Sequence, residues 1–160
     1  MRYLLTNNLL LWLFLFLHSP FPVQDQEPAF VRVNGEMEFQ VTPGEETHLK
    51  LFFRIRENFH IQANRVNNEN LIPSVLSVDG AGEMAIGEPV FPKGHEFRMD
   101  GVEEPLYVYS ELLEVVVPIK TEKHHKGEFP LKGKLHYQPC DATKCYFPRD
   151  LDFVIRVHVQ

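Results

Sequence analysis

The feature that most constrains the fold of this chain is the alternation near its C-terminal end. Leu151, Phe153, Ile155, Val157 and Val159 are apolar, and Asp152, Val154, Arg156, His158 and Gln160 follow them in turn. A period of two sends successive side chains to opposite faces of an extended strand, so one face must find cover. The same period recurs at Leu49, Leu51, Phe53 and Ile55, and at Leu131, Gly133, Leu135 and Tyr137. Phe59 and Ile61, and the segment Ser74 to Val78 closed by Asp79-Gly80, are shorter versions. Leu106 to Tyr109 and Glu114 to Ile119 read as the two arms of a hairpin. Pro43-Gly44 supplies a turn before the Leu49 run.

No long segment carries a helical period, and prolines recur throughout. About seven to nine short strands separated by turn signals predict an all-β, immunoglobulin-like antiparallel sandwich. The segment from Pro89 to Pro105 is long, polar and rich in glycine and charge. A loop of that length in a compact sandwich is expected to serve function.

Residues 1–23 stand apart. Arg2 is their one charged side chain, and Leu9 to Leu17 is an unbroken apolar run ended by His18, Ser19, Pro20 and Pro22. Spanning a bilayer takes roughly 20 apolar residues. The run is too short for that and fits the apolar core of a secretory signal peptide, with an uncleaved N-terminal anchor as the alternative. Residues 24–160 then form one domain, long enough to build a core without disulfides. The formal net charge of −6 argues against nucleic acid and anionic membrane as partners. The expected location is periplasmic or secreted, where disulfides form and persist.

The chain has two cysteines, Cys140 and Cys145, in the stretch Tyr137-Gln138-Pro139-Cys140-Asp141-Ala142-Thr143-Lys144-Cys145-Tyr146-Phe147-Pro148. As a staple the pair is inefficient, because closing so short a ring contributes about 2 kcal/mol by chain entropy. As a redox pair it needs nearby sulfurs, one of them reachable, and surroundings that tolerate both states. Tyr137, Tyr146 and Phe147 are candidates to pack around the sulfurs. Lys144 favours a thiolate and Asp141 opposes it. As a metal site the stretch offers His136, the two cysteines and His158. That spacing matches no zinc pattern, and a soft copper(I) site is the remaining metal reading. His124 and His125 are adjacent, face opposite ways if extended, and are expected on a solvated turn before Gly127 without sharing an ion. From the residues alone, staple and redox pair both stand.

The run Leu135 to Pro148 resembles the signature loop of the amino-terminal domain of the thiol:disulfide interchange protein DsbD. Phe59-His60-Ile61-Gln62-Ala63-Asn64 with Leu71-Ile72-Pro73-Ser74 is similar to a second segment of that family. Phe91-Pro92-Lys93-Gly94 followed by Leu106-Tyr107-Val108-Tyr109 is similar to a third. The resemblance implies a periplasmic immunoglobulin-like sandwich whose Cys140 and Cys145 cycle between dithiol and disulfide without a cofactor. It implies that Cys145 forms the mixed disulfide with each partner and that Cys140 resolves it. The implied partners are thioredoxin-like thiol oxidoreductases, a membrane thiol electron conduit and cytochrome-maturation proteins. It also implies an aromatic cap in the region Gly94 to Asp100, with Phe97 and Met99 as candidates. His60 and Asn64 are expected to hold a turn between strands. The rival from another class is a secreted protein-binding sandwich with a structural short-loop disulfide.

Overall fold

In the computed structural model, which describes residues 29–80 and 84–160, the alternating runs are strands and no helix occurs among the described residues. The leader reading therefore lies outside the described residues. The strands are β1 (Val31–Val33), β2 (Glu38–Val41), β3 (Glu46–Ile55), β4 (His60–Gln62), β5 (Val75–Asp79) and β6 (Met84–Ile86). They continue with β7 (His95–Phe97), β8 (Leu106–Ser110), β9 (Leu112–Thr121), β10 (Gly127–Tyr137), β11 (Pro139–Cys140) and β12 (Arg149–Val159).

Three four-stranded sheets form, in the orders β1-β3-β9-β6, β2-β12-β10-β5 and β11-β4-β8-β7. The first two enclose the main core. Leu49, Leu51, Phe53 and Ile55 of β3 and Val115, Val117 and Ile119 of β9 meet Leu131 and Leu135 of β10 and Ile155, Val157 and Val159 of β12. Phe53 and Phe153 touch edge to face across the gap, ring centres 5.3 Å apart. Gly133 lies opposite Phe153 in the β10–β12 ladder, and a Cβ there would overlap the Phe153 ring. Glycine is thus what lets that ring lie flat on the neighbouring strand.

The longest ladder, β10 with β12, runs from Gly127↔Val159 to Tyr137↔Arg149. The cysteine stretch joins these two strands at the Tyr137 end. At Gln138 the chain leaves the second sheet, and β11 joins the third by pairing Pro139↔Ile61 and Cys140↔His60. Pro139 has no N–H to donate, and β11 is an edge strand, where a proline is tolerated.

Two expectations are corrected. Leu106 to Tyr109 and Glu114 to Ile119 are not arms of one hairpin. β8 pairs with β4 and β7, whereas β9 pairs with β3 and β6. The chain crosses between sheets at Glu111, whose φ of 58° turns it out of the β8 direction. The strands are also more numerous, because β1, β2, β6, β7 and β11 are too short to show a period. One pairing, β2 with β12, is parallel; the remaining ladders are antiparallel.

Candidate functional site

Cys140 and Cys145 are joined, with their Cα atoms 3.9 Å apart. The local backbone explains the close approach. Asp141 N–H donates to the Lys144 carbonyl at 2.9 Å and Tyr146 N–H to the Pro139 carbonyl at 2.8 Å. These bonds flank the two cysteines and make them a non-hydrogen-bonded cross-strand pair, the position where antiparallel side chains come nearest.

The turn between them is organised by Asp141. Its Oδ1 accepts from Thr143 N–H at 2.8 Å, Thr143 Oγ1 at 2.8 Å and Lys144 N–H at 2.9 Å, and its Oδ2 accepts from the Tyr146 hydroxyl at 2.7 Å. The Tyr146 bond foremost, with those from Thr143 and Lys144, holds the carboxyl well below the usual carboxylate range. Asp141 therefore keeps a negative charge beside the sulfurs. The Lys144 ammonium sits over the Tyr146 ring, 4.9 Å from its centre.

The sulfurs differ in surroundings. Cys140 is wholly buried and Cys145 half-buried. Cys140 belongs to a small apolar cluster with Met99, Leu106 and Val108, against which Leu71, Phe97 and Cys145 pack. Phe97 and Met99 are thus brought to the disulfide. Phe97 also lies against the His60 ring, centroids 3.9 Å apart. Asp100 N–H donates to the Ala142 carbonyl at 2.9 Å, tying the segment that carries both residues to the cysteine turn.

The three flanking aromatics are placed differently from one another. Tyr137 is buried in the main core rather than around the sulfurs, since it is the last inward residue of β10. Burial pushes its hydroxyl pKa up. Phe147 is 84% exposed. Tyr146 packs its ring on Phe30 and Phe59, at 5.2 and 5.9 Å, and spends its hydroxyl on Asp141.

His60 is a strand residue rather than a turn residue. Its Nδ1 meets Ser110 Oγ at 2.5 Å, and Ser110 Oγ meets His95 Nε2 at 3.0 Å. Burial, followed by the charge of His95, lowers the His60 pKa. Asn64 accepts from the Tyr109 hydroxyl at 2.7 Å.

The metal readings are redistributed. His136 bonds Asp150 at 2.6 Å across the β10–β12 ladder. His158 pairs with Glu128, toward the ladder end opposite the cysteines. His124 and His125 do lie on the turn before Gly127, yet their ligating atoms and that of Glu122 come within 4.8 Å of one another. A turn, unlike a strand, puts neighbouring side chains on one side.

Two glutamines escaped the sequence reading as site residues. Gln138 Oε1 accepts from Ile72 N–H at 2.9 Å, and its Nε2 donates to the Tyr146 carbonyl at 3.3 Å, clamping both sides of the loop. Gln62 is fully buried and donates from Nε2 to Cys140 Sγ at 3.2 Å and Cys145 Sγ at 3.6 Å. Its signal was present, because a glutamine between Ile61 and Ala63 interrupts an apolar run.

A family model described as "Thiol:disulfide interchange protein DsbD, N-terminal" matches residues 27–155. No curated protein sequence matches the chain. Among solved structures, the reduced N-terminal domain of DsbD from Neisseria meningitidis is 24% identical, with a TM-score of 0.42 over 69% of this chain and 81% of that one. The N-terminal periplasmic domain of ScsB from Proteus mirabilis is 14% identical, with a TM-score of 0.45 over 78% of this chain and 44% of that one.

Proposed function

Because the chain belongs to the family of the N-terminal domain of the thiol:disulfide interchange protein DsbD, we propose that it is a periplasmic thiol–disulfide exchange module. It relays electrons between a thioredoxin-like donor and periplasmic oxidoreductase or cytochrome-maturation partners. Residues 1–23 are its export signal, and Cys140 and Cys145 carry the electrons.

The observation that carries this reading is the asymmetry of the pair. Cys140 is fully buried, whereas Cys145, on an edge turn, is only partly buried. A donor thiolate attacks Cys145 Sγ, forming the mixed disulfide, and the electron pair of the broken bond stays on Cys140 Sγ. The donor's second thiolate then displaces Cys145 Sγ. The donor leaves as a disulfide, and the pair is left as a dithiol. Toward an oxidised acceptor the steps reverse. Cys145 thiolate attacks the acceptor disulfide, and Cys140 thiolate attacks Cys145 Sγ to release the acceptor dithiol. Phe97 and Met99 cover the pair between encounters, and exposed Phe147 beside it offers apolar area to a docking partner.

The test is the reduction potential of the pair, equilibrated against glutathione and against thioredoxin and read by mass spectrometry. A relay is expected between thioredoxin, about −270 mV, and the strong periplasmic oxidants, about −120 mV, with rapid exchange. A bond that resists both couples, below about −300 mV, would make it a staple in a protein-binding sandwich.

A further inference from the structure

The apolar cluster around Cys140 poses a chemical problem, since exchange requires a thiolate there and an ion in apolar surroundings is costly. Asp141 adds a like charge nearby, and Lys144 points at Tyr146. Gln62 answers it. Both its neighbours, Ile61 and Ala63, are buried, and its backbone is pinned on each side. Its N–H donates to the Gln138 carbonyl at 3.1 Å, and its carbonyl accepts from buried Ser74 Oγ at 2.5 Å. The side chain therefore starts from a fixed point and ends with Nε2 at the two sulfurs.

This amide is poorly rewarded in the oxidised protein. A disulfide sulfur is a weak acceptor, and Gln62 Oε1 has no hydrogen-bond partner among the described residues. Burying an amide so incompletely bonded is unfavourable. A thiolate in the same place is a far stronger acceptor, and the contact becomes charge-assisted. The amide thus favours the state in which Cys140 carries charge.

We propose that Gln62 is a positioning residue that holds the Cys140 thiolate, as leaving group when a donor attacks Cys145 and as resolving nucleophile in the reverse direction. This rests on the exchange reading above. Gln62 forms no bond to substrate; it acts through the Cys140 sulfur.

The test uses Cys145→Ser, which leaves Cys140 as the single thiol, with the 13Cβ shift of Cys140 reporting its titration. Adding Gln62→Met is expected to lower the acid dissociation constant of Cys140 about tenfold. In the two-cysteine protein, Gln62→Met is expected to slow reduction by dithiothreitol by a smaller factor, about threefold to fivefold, because the leaving thiolate carries only part of its charge in the transition state. A Gln62→Met protein that loses thermal stability while keeping the Cys140 titration and the reduction rate overturns the proposal. A further readout leaves Gln62 untouched. In Cys145→Ser, the Gln62 side-chain amide resonances are expected to move with the Cys140 titration, and resonances that stay still overturn the proposal whether or not Gln62→Met folds. These readouts need no protein partner. Failure of the relay reading instead appears as absent exchange between the unmodified protein and thioredoxin.

Discussion

The main core and the cluster around the disulfide are built on opposite terms. Between the first two sheets, Leu49, Leu51, Phe53, Leu131, Leu135 and Ile155 are fully buried, and the contact is apolar on both sides. Around Cys140 the buried apolar side chains are Met99, Leu106 and Val108, with Phe97 and Leu71 at the rim. The first region is deep and carries the stability. The second is a much smaller cluster, and part of its cover, Phe97 and Leu71, is only partly buried. Separating the two lets a redox pair change state without disturbing what holds the fold.

Four perturbations test that separation. The largest expected effect is Phe53→Ala, which should cost about 3–5 kcal/mol, seen as a lower denaturation midpoint. The reduction potential of the surviving folded protein should stay put; a large change would mean that core and site are coupled. Reducing the disulfide should come next. Releasing so short a loop should cost about 2 kcal/mol, leaving the reduced protein folded by circular dichroism. Phe97→Ala should cost about 1 kcal/mol, since the ring is half-buried, but should speed alkylation of the reduced thiols severalfold. An unchanged alkylation rate would remove Phe97 from the cap and leave Met99.

The smallest effect concerns His60. Its folded pKa lies below its ordinary value of 6.5. Above pH 6.5 the ring is neutral both folded and unfolded, so it contributes no pH dependence. As the pH falls below 6.5 the unfolded chain takes up the proton first, and stability falls until His60 is protonated in the fold as well. The melting temperature should fall between about pH 7.5 and 5.5 through this group, by less than any of the three changes above. His60→Gln should flatten that part of the profile.

How much was legible depended on whether the cause was local. The long strands β3, β10 and β12 announced themselves because burial on one face imposes a period of two over many residues. Cys140 and Cys145 were legible as a pair for a similar reason, since four intervening residues admit a tight turn. Phe97 and Met99 were reached through family resemblance and lie beside the disulfide. That Tyr137 packs into the main core and Phe147 is exposed was not legible, because nearness in sequence does not say which face a side chain takes after the chain changes sheets at Gln138.

The sequence by itself determined an all-β sandwich and a cysteine turn between its two longest paired strands, because alternation and turn chemistry act over a few residues. Only the tertiary structure decided that Leu106–Ser110 joins a third sheet, that Cys140 is sealed while Cys145 is not, and that Gln62 reaches both sulfurs. Those outcomes rest on contacts between residues as far apart as Gln62 and Cys140, and no local period encodes the meeting of two distant strands.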